Sequence, residues 1–331
     1  MFLGIKKRIK KLTNGEYPLD FIVYKTFTKQ RVISKSFPFA IYRIVEKRMK
    51  QIGCGKELNL PTYDGLNQST HPTICKYNDL FYLASTPFPY GNDLYENPCV
   101  YKSDDGKCFV PVEGGFPIVK PNEHKQLIYL SDPYLYSEGN NLCLIYRECA
   151  YYDKVSYNAI LYKMEMDKEE KWSKPVKIFE SRSGAMSPCV INEGGSQFLY
   201  YVSFSGKKTE LIKKCVDDDA EQIVPVYKIP LDMMLWHMDM FTVEENKVFG
   251  LFTMAADHYG SKARLFVAKQ NNGSWIVGKE IIFNEQLITK MYKASIVQIN
   301  DGSYRLYVSL RRKDRKWKIY YVDNFRFQDY V

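Results

Sequence analysis

SDPYLYSEGNNLCLIYRE, residues 131–148, reads as a short apolar strand, a polar turn and a second strand rich in Leu and Tyr. The Gly-Asn pair at its centre is hairpin chemistry, because these residues accept the left-handed backbone of a tight connection. Four other segments repeat the pattern: HPTICKYNDLFYLAST (71–86), SPCVINEGGSQFLYYVS (187–203), WHMDMFTVEENKVFGLFTM (236–254) and YKASIVQINDGSYRLYVSL (292–310). Their turns include Glu193-Gly194-Gly195 and Asn300-Asp301-Gly302. Further strand-like runs follow within the units, among them NPCVYKSDD, YNAILYKMEM, TELIKKCV, ARLFVAKQ and WKIYYVDN. The first strands recur at intervals of about 61, 55, 51 and 55 residues. A period near 50 with four strands per unit predicts a β-propeller, and five units over residues 61–331 predict five blades. A β-sandwich of similar strand content would not show five equivalent openings.

Outside the repeat the composition changes. Residues 1–50 hold 13 Lys/Arg against Glu16, Asp20 and Glu46, a net charge of +10, whereas the remaining 281 residues net −1. Apolar residues fall at helical spacing in two stretches: Phe2, Ile5, Ile9 and Leu12, then Ile41, Ile44, Val45, Met49 and Ile52. Residues 1–60 are therefore expected to form a basic, partly helical extension. One expectation is peripheral contact between residues 1–50 and an anionic membrane, where each cation contributes about 1 kcal/mol near the surface. The other is an apolar stripe packed on the main domain. Nucleic acid is not an expected partner, since the body carries neither a matching basic surface nor a recognition motif.

The hydrophobic fraction of 45% excludes a disordered chain, and no run of about 18 apolar residues is present to span a membrane. The opening MFLGIKKRIKKL breaks its apolar residues with five cations, so no cleaved secretory signal is read there. The eight cysteines form no CxxC pair and no zinc-spaced cluster, and several sit inside apolar strand-like runs. Together these lead to the expectation of a cytoplasmic protein with reduced thiols rather than disulfides, peripheral at the inner face of a bacterial cell membrane if the basic extension binds there. Phosphate-loop, dinucleotide, HExxH and GxSxG motifs are missing.

In a propeller the innermost strand of each blade lines the axis, so a ligand site collects one or two side chains per blade. The openings here offer His71, Asp132, Ser187, His237 with Asp239, and Lys293. Each has an ordinary structural alternative: Asp132 as a turn cap before Pro133, His71 as a satisfied core residue. Polar residues at five equivalent strand openings nevertheless point to a funnel site.

The Asp-Pro opening and Tyr-rich hairpins within five units resemble the five-bladed propellers of glycoside hydrolase family 43. YDGLNQSTHP (63–72), ASTPFPYGNDLYENPCVYKSDDG (84–106), SDPYLY (131–136), LIYRE (144–148), SPCVI (187–191) and WHMDM (236–240) are similar to the family-43-like proteins of bacterial surface-polysaccharide loci. The resemblance covers about residues 60–331. It implies a carbohydrate or sugar-phosphate ligand and an inverting pair of carboxylates roughly 6.5–9.5 Å apart. Its base Asp falls at His71, its second Asp at Asp132, and its acid Glu at Met186, two residues before Pro188. Two of the three carboxylates are therefore absent.

Replacement chemistry is expected from Glu148, Asp239 and His71, whose ordinary pKa of about 6.5 suits a general base. With Asp132 these form the candidate catalytic set. Glu96, Arg147, Ser187, Trp236, His237 and Lys293 form the candidate substrate-binding set, and Arg147 suits a carboxylate or phosphate. Arg147 and Glu148 have an alternative as a mutual ion pair. No cofactor is predicted by motif, although His237 and Asp239, two apart on one strand, could hold a divalent cation in the funnel with His71. Two functions follow: an enzyme acting on a glycosyl or glycosyl-phosphate substrate of surface-polysaccharide (capsule) metabolism, by glycosyl transfer or hydrolysis, or a non-catalytic glycan-binding or scaffolding propeller.

Overall fold

Alternation of apolar and polar residues over 8–13 residues, punctuated by left-handed turn residues, folds as hairpins. In the computed structural model of the protein, residues 51–53, 55–120, 128–150, 158–205, 208–216, 218, 220–244, 247–283, 288–300 and 302–331 are described. Asn78 and Asp79, with φ of 47° and 63°, turn the first hairpin. Gly194 and Gly195 (57° and 84°) turn the third, and Asn272 and Gly273 (46° and 74°) turn a hairpin in the fourth unit. Two successive positive φ angles make the type I′ turn that matches strand twist.

The five-bladed propeller expected from the repeats is present. Blade one comprises β3 (Ser69–Tyr77), β4 (Leu80–Pro87), β5 (Cys99–Ser103) and β6 (Val110–Pro111). Blade two comprises β7 (Ile128–Glu138), β8 (Asn141–Ala150), β9 (Ala159–Met166) and β10 (Val176–Ser181). Blade three comprises β11 (Met186–Glu193), β12 (Ser196–Ser205), β13 (Lys208–Cys215) and β14 (Glu221–Val224). Blade four comprises β16 (Met234–Glu244), β17 (Lys247–Ala255), β18 (Arg264–Asn271) and β19 (Ser274–Phe283). β20 (Ile288–Asn300), β21 (Ser303–Arg312) and β22 (Trp317–Phe325) begin blade five.

Its fourth strand comes from the other end of the chain. β2 (Lys56–Glu57) pairs antiparallel with β22, while β1 (Gln51–Ile52) runs parallel to β19. β15 (Val226–Tyr227) also runs parallel to β19, so the outer strand of blade four is covered rather than left as a bare edge. The domain division expected at residue 60 therefore falls inside the propeller, because residues 51–57 find strand partners there. Ile52, expected to end a helical stripe, is in a strand instead. The rest of that stripe, the Phe2–Leu12 stripe and Asp301 lie outside the described residues.

Apolar side chains meet between blades rather than in one central core. Tyr82, Val100, Leu135 and Leu144 pack blade one on blade two; Leu251, Leu265, Leu306 and Val308 pack blade four on blade five. Leu58 and Leu60 complete the seam between blades five and one with Leu83, Tyr307 and Ile319. The axis is left to the polar residues that open the inner strands. Of the seven described cysteines, all free thiols, Cys99, Cys143, Cys149 and Cys189 are buried.

Candidate functional site

A β-bulge interrupts each inner strand at the same level. Pairing skips His71-Pro72 in blade one, Asp132-Pro133 in blade two and Ser187-Pro188 in blade three. Proline has no N–H for the ladder, so the bulge is where it fits. The residue before each proline takes a left-handed φ of 52°, 48° and 50°, respectively. Such backbone costs about 1–3 kcal/mol per non-glycine residue and turns the side chain away from its normal alternation. In blades four and five the skipped residues are Trp236 and the pair Tyr292-Lys293.

The bulges bring His71, Asp132, Ser187 and His237 together, all at most 1% exposed. Asp132 Oδ1 lies 3.5 Å from His71 Nε2 and 3.3 Å from His237 Nδ1. Ser187 donates its hydroxyl to Asp132 Oδ1 at 3.4 Å and sits 2.8 Å from His237 Nδ1. A hydroxyl committed to the carboxylate accepts from the imidazole, so His237 carries its proton on Nδ1 and presents a bare Nε2. His71 Nδ1 lies 2.9 Å from Thr86 Oγ1, which steadies that ring from its other side.

Arg147 reaches the cluster from β8. Its Nη2 is 3.0 Å from Asp132 Oδ2 as an ion pair, although not aligned as a hydrogen bond. The guanidinium is fixed by Ser131 Oγ, at 3.2 Å from Nε and 3.0 Å from Nη2, and by the Gly184 carbonyl at 3.2 Å. Glu96 enters from the loop between β4 and β5, 2% exposed, with Oε2 at 3.4 Å from His71 Nδ1. Asn97 anchors that loop by donating to the Val119 carbonyl at 2.8 Å.

Burial opposes charge throughout the cluster, with different outcomes. It raises the Glu96 carboxyl, against the opposing pull of His71. It works against ionised Asp132 too, but Arg147 and the two histidines outweigh it and hold that carboxyl well below the usual range. His237 is pushed down to about 4 by burial, despite Asp132, and is neutral at pH 7. Neutral imidazole is the form that ligates metals.

His71, Asp132 and His237 each offer one ligand atom, all within 4.8 Å of one another. Among the described residues, both Nε2 atoms, Asp132 Oδ2 and Glu96 Oε2 are buried without a hydrogen-bond partner. Imidazole nitrogens steadied through their other nitrogen, plus a carboxylate, suit a divalent cation. The cation expected of the funnel thus has a donor set, with Asp132 in the place anticipated for Asp239.

Asp239 and Lys293 lie further along the channel. Asp239 faces a cavity of about 620 Å³ at the opposite ends of the inner strands, with Tyr134, Asn192 and Gln298. Burial pushes its carboxyl up to about 6 against the charge of Lys293. Lys293 is fully buried, its Nζ 3.4 Å from the Pro133 carbonyl across the axis. Glu148 does not enter the funnel. It follows Arg147 on β8, strand alternation gives it the opposite face, and its charge is felt by Tyr146 and Tyr162 there. Arg147 accordingly pairs with Asp132 and not with Glu148.

An aromatic wall completes the site; sequence reasoning named Trp236 in it and missed Tyr292, Trp317 and Phe88. The Tyr292 ring lies 4.7 Å from both His71 and His237, 4.5 Å from Trp236, 5.4 Å from Trp317 and 5.7 Å from Phe88, between centroids. Trp236 also contacts His237 at 4.4 Å and donates to the His258 carbonyl at 3.2 Å. The signal for Tyr292 was present: it stands two residues before buried Ala294, as His71, Asp132 and Ser187 stand before Thr73, Tyr134 and Cys189.

No protein-family profile matches the chain, and no curated protein sequence does. Solved structures match its fold. An N-acetylgalactosamine deacetylase from F. plautii, in complex with blood group B trisaccharide, superposes with a TM-score of 0.68 at 15% identity, over 82% of this chain and 94% of that one. A Cellvibrio cellulosa α-L-arabinanase complexed with arabinohexaose gives 0.54 at 11%, over 77% and 91%. A xylan β-1,4-xylosidase from Bacillus halodurans C-125 gives 0.58 at 14% over 82% of this chain, which spans only 57% of that enzyme. At these identities the likeness is one of fold.

Proposed function

We propose that this propeller hydrolyses an acyl substituent on a carbohydrate bound at the funnel, using a divalent cation held by His71, Asp132 and His237. The observation that carries the reading is the buried cluster itself, with two bare imidazole Nε2 atoms beside an ionised carboxylate. Glycoside hydrolysis needs a carboxylic acid and a carboxylate flanking the sugar. Here His71 and Met186 occupy two of the three positions, and Asp132 is locked to Arg147 at 3.0 Å. Sugar ligands in the trisaccharide-bound deacetylase and the arabinohexaose-bound arabinanase support a carbohydrate partner.

When bound, such a cation supplies Lewis acidity and a water of lowered pKa. The chain's own residues do the rest. Ser187 and Thr86 orient the imidazoles, and Arg147 keeps Asp132 charged. Glu96, which burial makes a weaker acid, is placed to hand a proton to the departing nitrogen or oxygen. Water adds to the acyl carbon, the C–N or C–O bond breaks, and a carboxylate leaves the sugar amine or hydroxyl behind.

The test is incubation with N-acetylated and O-acetylated oligosaccharides and with aryl glycosides, with and without added Mn²⁺ or Zn²⁺. Cation-dependent acetate release, lost in His71→Ala and His237→Ala, is the expected result; liberated sugar or aglycone without acetate would overturn it. A second reading, a non-catalytic glycan-binding propeller, is favoured by the missing carboxylates and predicts binding without product. Glycosyl transfer and a role in surface-polysaccharide assembly rest on the sequence resemblance alone. The +10 charge of residues 1–50 supports a peripheral seat on anionic membrane. Salt-sensitive binding to anionic liposomes that is lost on deleting residues 1–50 would check it.

A further inference from the structure

Lys290 and Arg311 are directly opposite each other across β20 and β21. Like charges in that position destabilise a sheet, and both side chains are half-buried. Among the described residues neither has a carboxylate within ion-pair distance. Asp257, whose charge Lys290 feels, accepts from the backbone N–H groups of Tyr259 and Ser261, both at 3.0 Å. Among the described residues Lys290 Nζ bonds a carbonyl, that of Tyr259 at 2.8 Å, and Arg311 Nε bonds Thr289 Oγ1 at 3.3 Å.

Both cations border the aromatic wall of the site. Lys290 Nζ lies 5.6 Å from the Trp236 ring, and the Arg311 guanidinium 5.7 Å from the Trp317 ring. These tryptophans flank Tyr292, which touches both histidines. Each cation is therefore two or three ring contacts from the cluster, along the wall on which a bound glycan would extend. Arg147 is already taken by Asp132, and Lys293 lies further along the channel against the Pro133 carbonyl.

We propose that Lys290 and Arg311 form a subsite for an oxyanion, a carboxylate or phosphate, carried by the glycan that occupies the funnel. This rests on the carbohydrate reading above. An oxyanion between the two cations would relieve their cross-strand repulsion and accept the planar guanidinium's paired donors. A neutral glycan would leave that repulsion in place.

Calorimetric titration of the full chain with matched pairs tests it: trigalacturonate against its methyl ester, and N-acetylglucosamine 1-phosphate against N-acetylglucosamine. The charged member of at least one pair should bind ten-fold or more tighter at low salt, and the advantage should shrink as ionic strength rises. Which pair shows it tells carboxylate from phosphate. Lys290→Gln with Arg311→Gln should abolish the advantage without changing the neutral partner's affinity, and Arg311→Lys alone should keep part of it. Equal binding of charged and neutral members, or an advantage that survives the double substitution, overturns the subsite and leaves the carbohydrate reading standing. No binding by any member overturns both.

Discussion

Ser187 Oγ stands 2.8 Å from His237 Nδ1 and 3.4 Å from Asp132 Oδ1, so one hydroxyl from blade three sets the tautomer of a histidine in blade four. Without it His237 Nδ1 keeps only Asp132 Oδ1, at 3.3 Å, to hold the ring in place. Ser187→Ala should lower affinity for Mn²⁺ or Zn²⁺ about 10–100-fold, the usual effect of removing a partner that orients a metal-binding histidine. His237→Ala should lower it further. Calorimetry measures both, and unchanged affinity in Ser187→Ala would remove the orienting role.

Acidity separates Asp239 from the cluster. Its folded carboxyl is pushed up to about 6 from an ordinary 3.8. Between those values the folded protein holds a proton that the unfolded chain lacks. The stability this group contributes is complete below about 3.8 and is lost as pH rises through about 6, at up to roughly 1.4 kcal/mol per pH unit. His237 acts oppositely: pushed down to about 4 from 6.5, it makes stability fall as pH drops across that interval. Asp239→Asn, which cannot ionise, should gain stability relative to the parent protein as pH rises from about 4 to 6, then hold a constant difference. Urea unfolding across that range checks it; parallel profiles would mean that Asp239 ionises normally.

The blade count was legible because each unit repeats strand length and turn chemistry, both local properties. Site membership was only partly legible. His71, Asp132 and Ser187 each precede a proline, and that dipeptide marks the bulge that turns them inward. Blades four and five lack the proline, so Tyr292 was overlooked in favour of its neighbour Lys293. Arg147 and Glu148 are adjacent in sequence, and only the register of β8 decides which of them meets the axis. The pairing of β2 with β22 joins residues some 260 positions apart and leaves no local trace.

Gly260 backs the aromatic wall. Its φ is 72°, and a Cβ there would run into the six-membered ring of the Trp236 indole. Gly273 has a nearly identical φ of 74° with nothing within 4 Å. Gly260→Ala and Gly273→Ala therefore share the backbone strain of a left-handed alanine, and only the first displaces the indole. Gly260→Ala should be less stable than Gly273→Ala by about 1–3 kcal/mol, the usual cost of overpacking. Because Trp236 supports His237 and Tyr292, it should also weaken glycan binding, which Gly273→Ala should leave intact. Equal melting temperatures and equal binding in the two variants would show that Trp236 yields freely.

Ring closure depends on ten residues. β2 supplies the last strand of blade five, the Leu58 N–H donates to the Ile319 carbonyl at 2.8 Å, and Leu58 and Leu60 are 2% and 4% exposed in the seam between blades five and one. The ion pairs of Glu57 with Lys318 (3.3 Å) and Arg312 (3.5 Å) are partly solvated and add little. Burying two leucines is worth about 3–6 kcal/mol, so apolar closure dominates. A chain lacking residues 1–60 should therefore melt well below one lacking residues 1–50, by several degrees at least, and unfold less cooperatively as β22 loses its outer partner and keeps only β21. Replacing Leu58 and Leu60 by Ala in the longer chain should reproduce most of the loss, whereas Glu57→Gln should not. If Glu57→Gln instead matched the deletion, closure would be electrostatic and would weaken with salt.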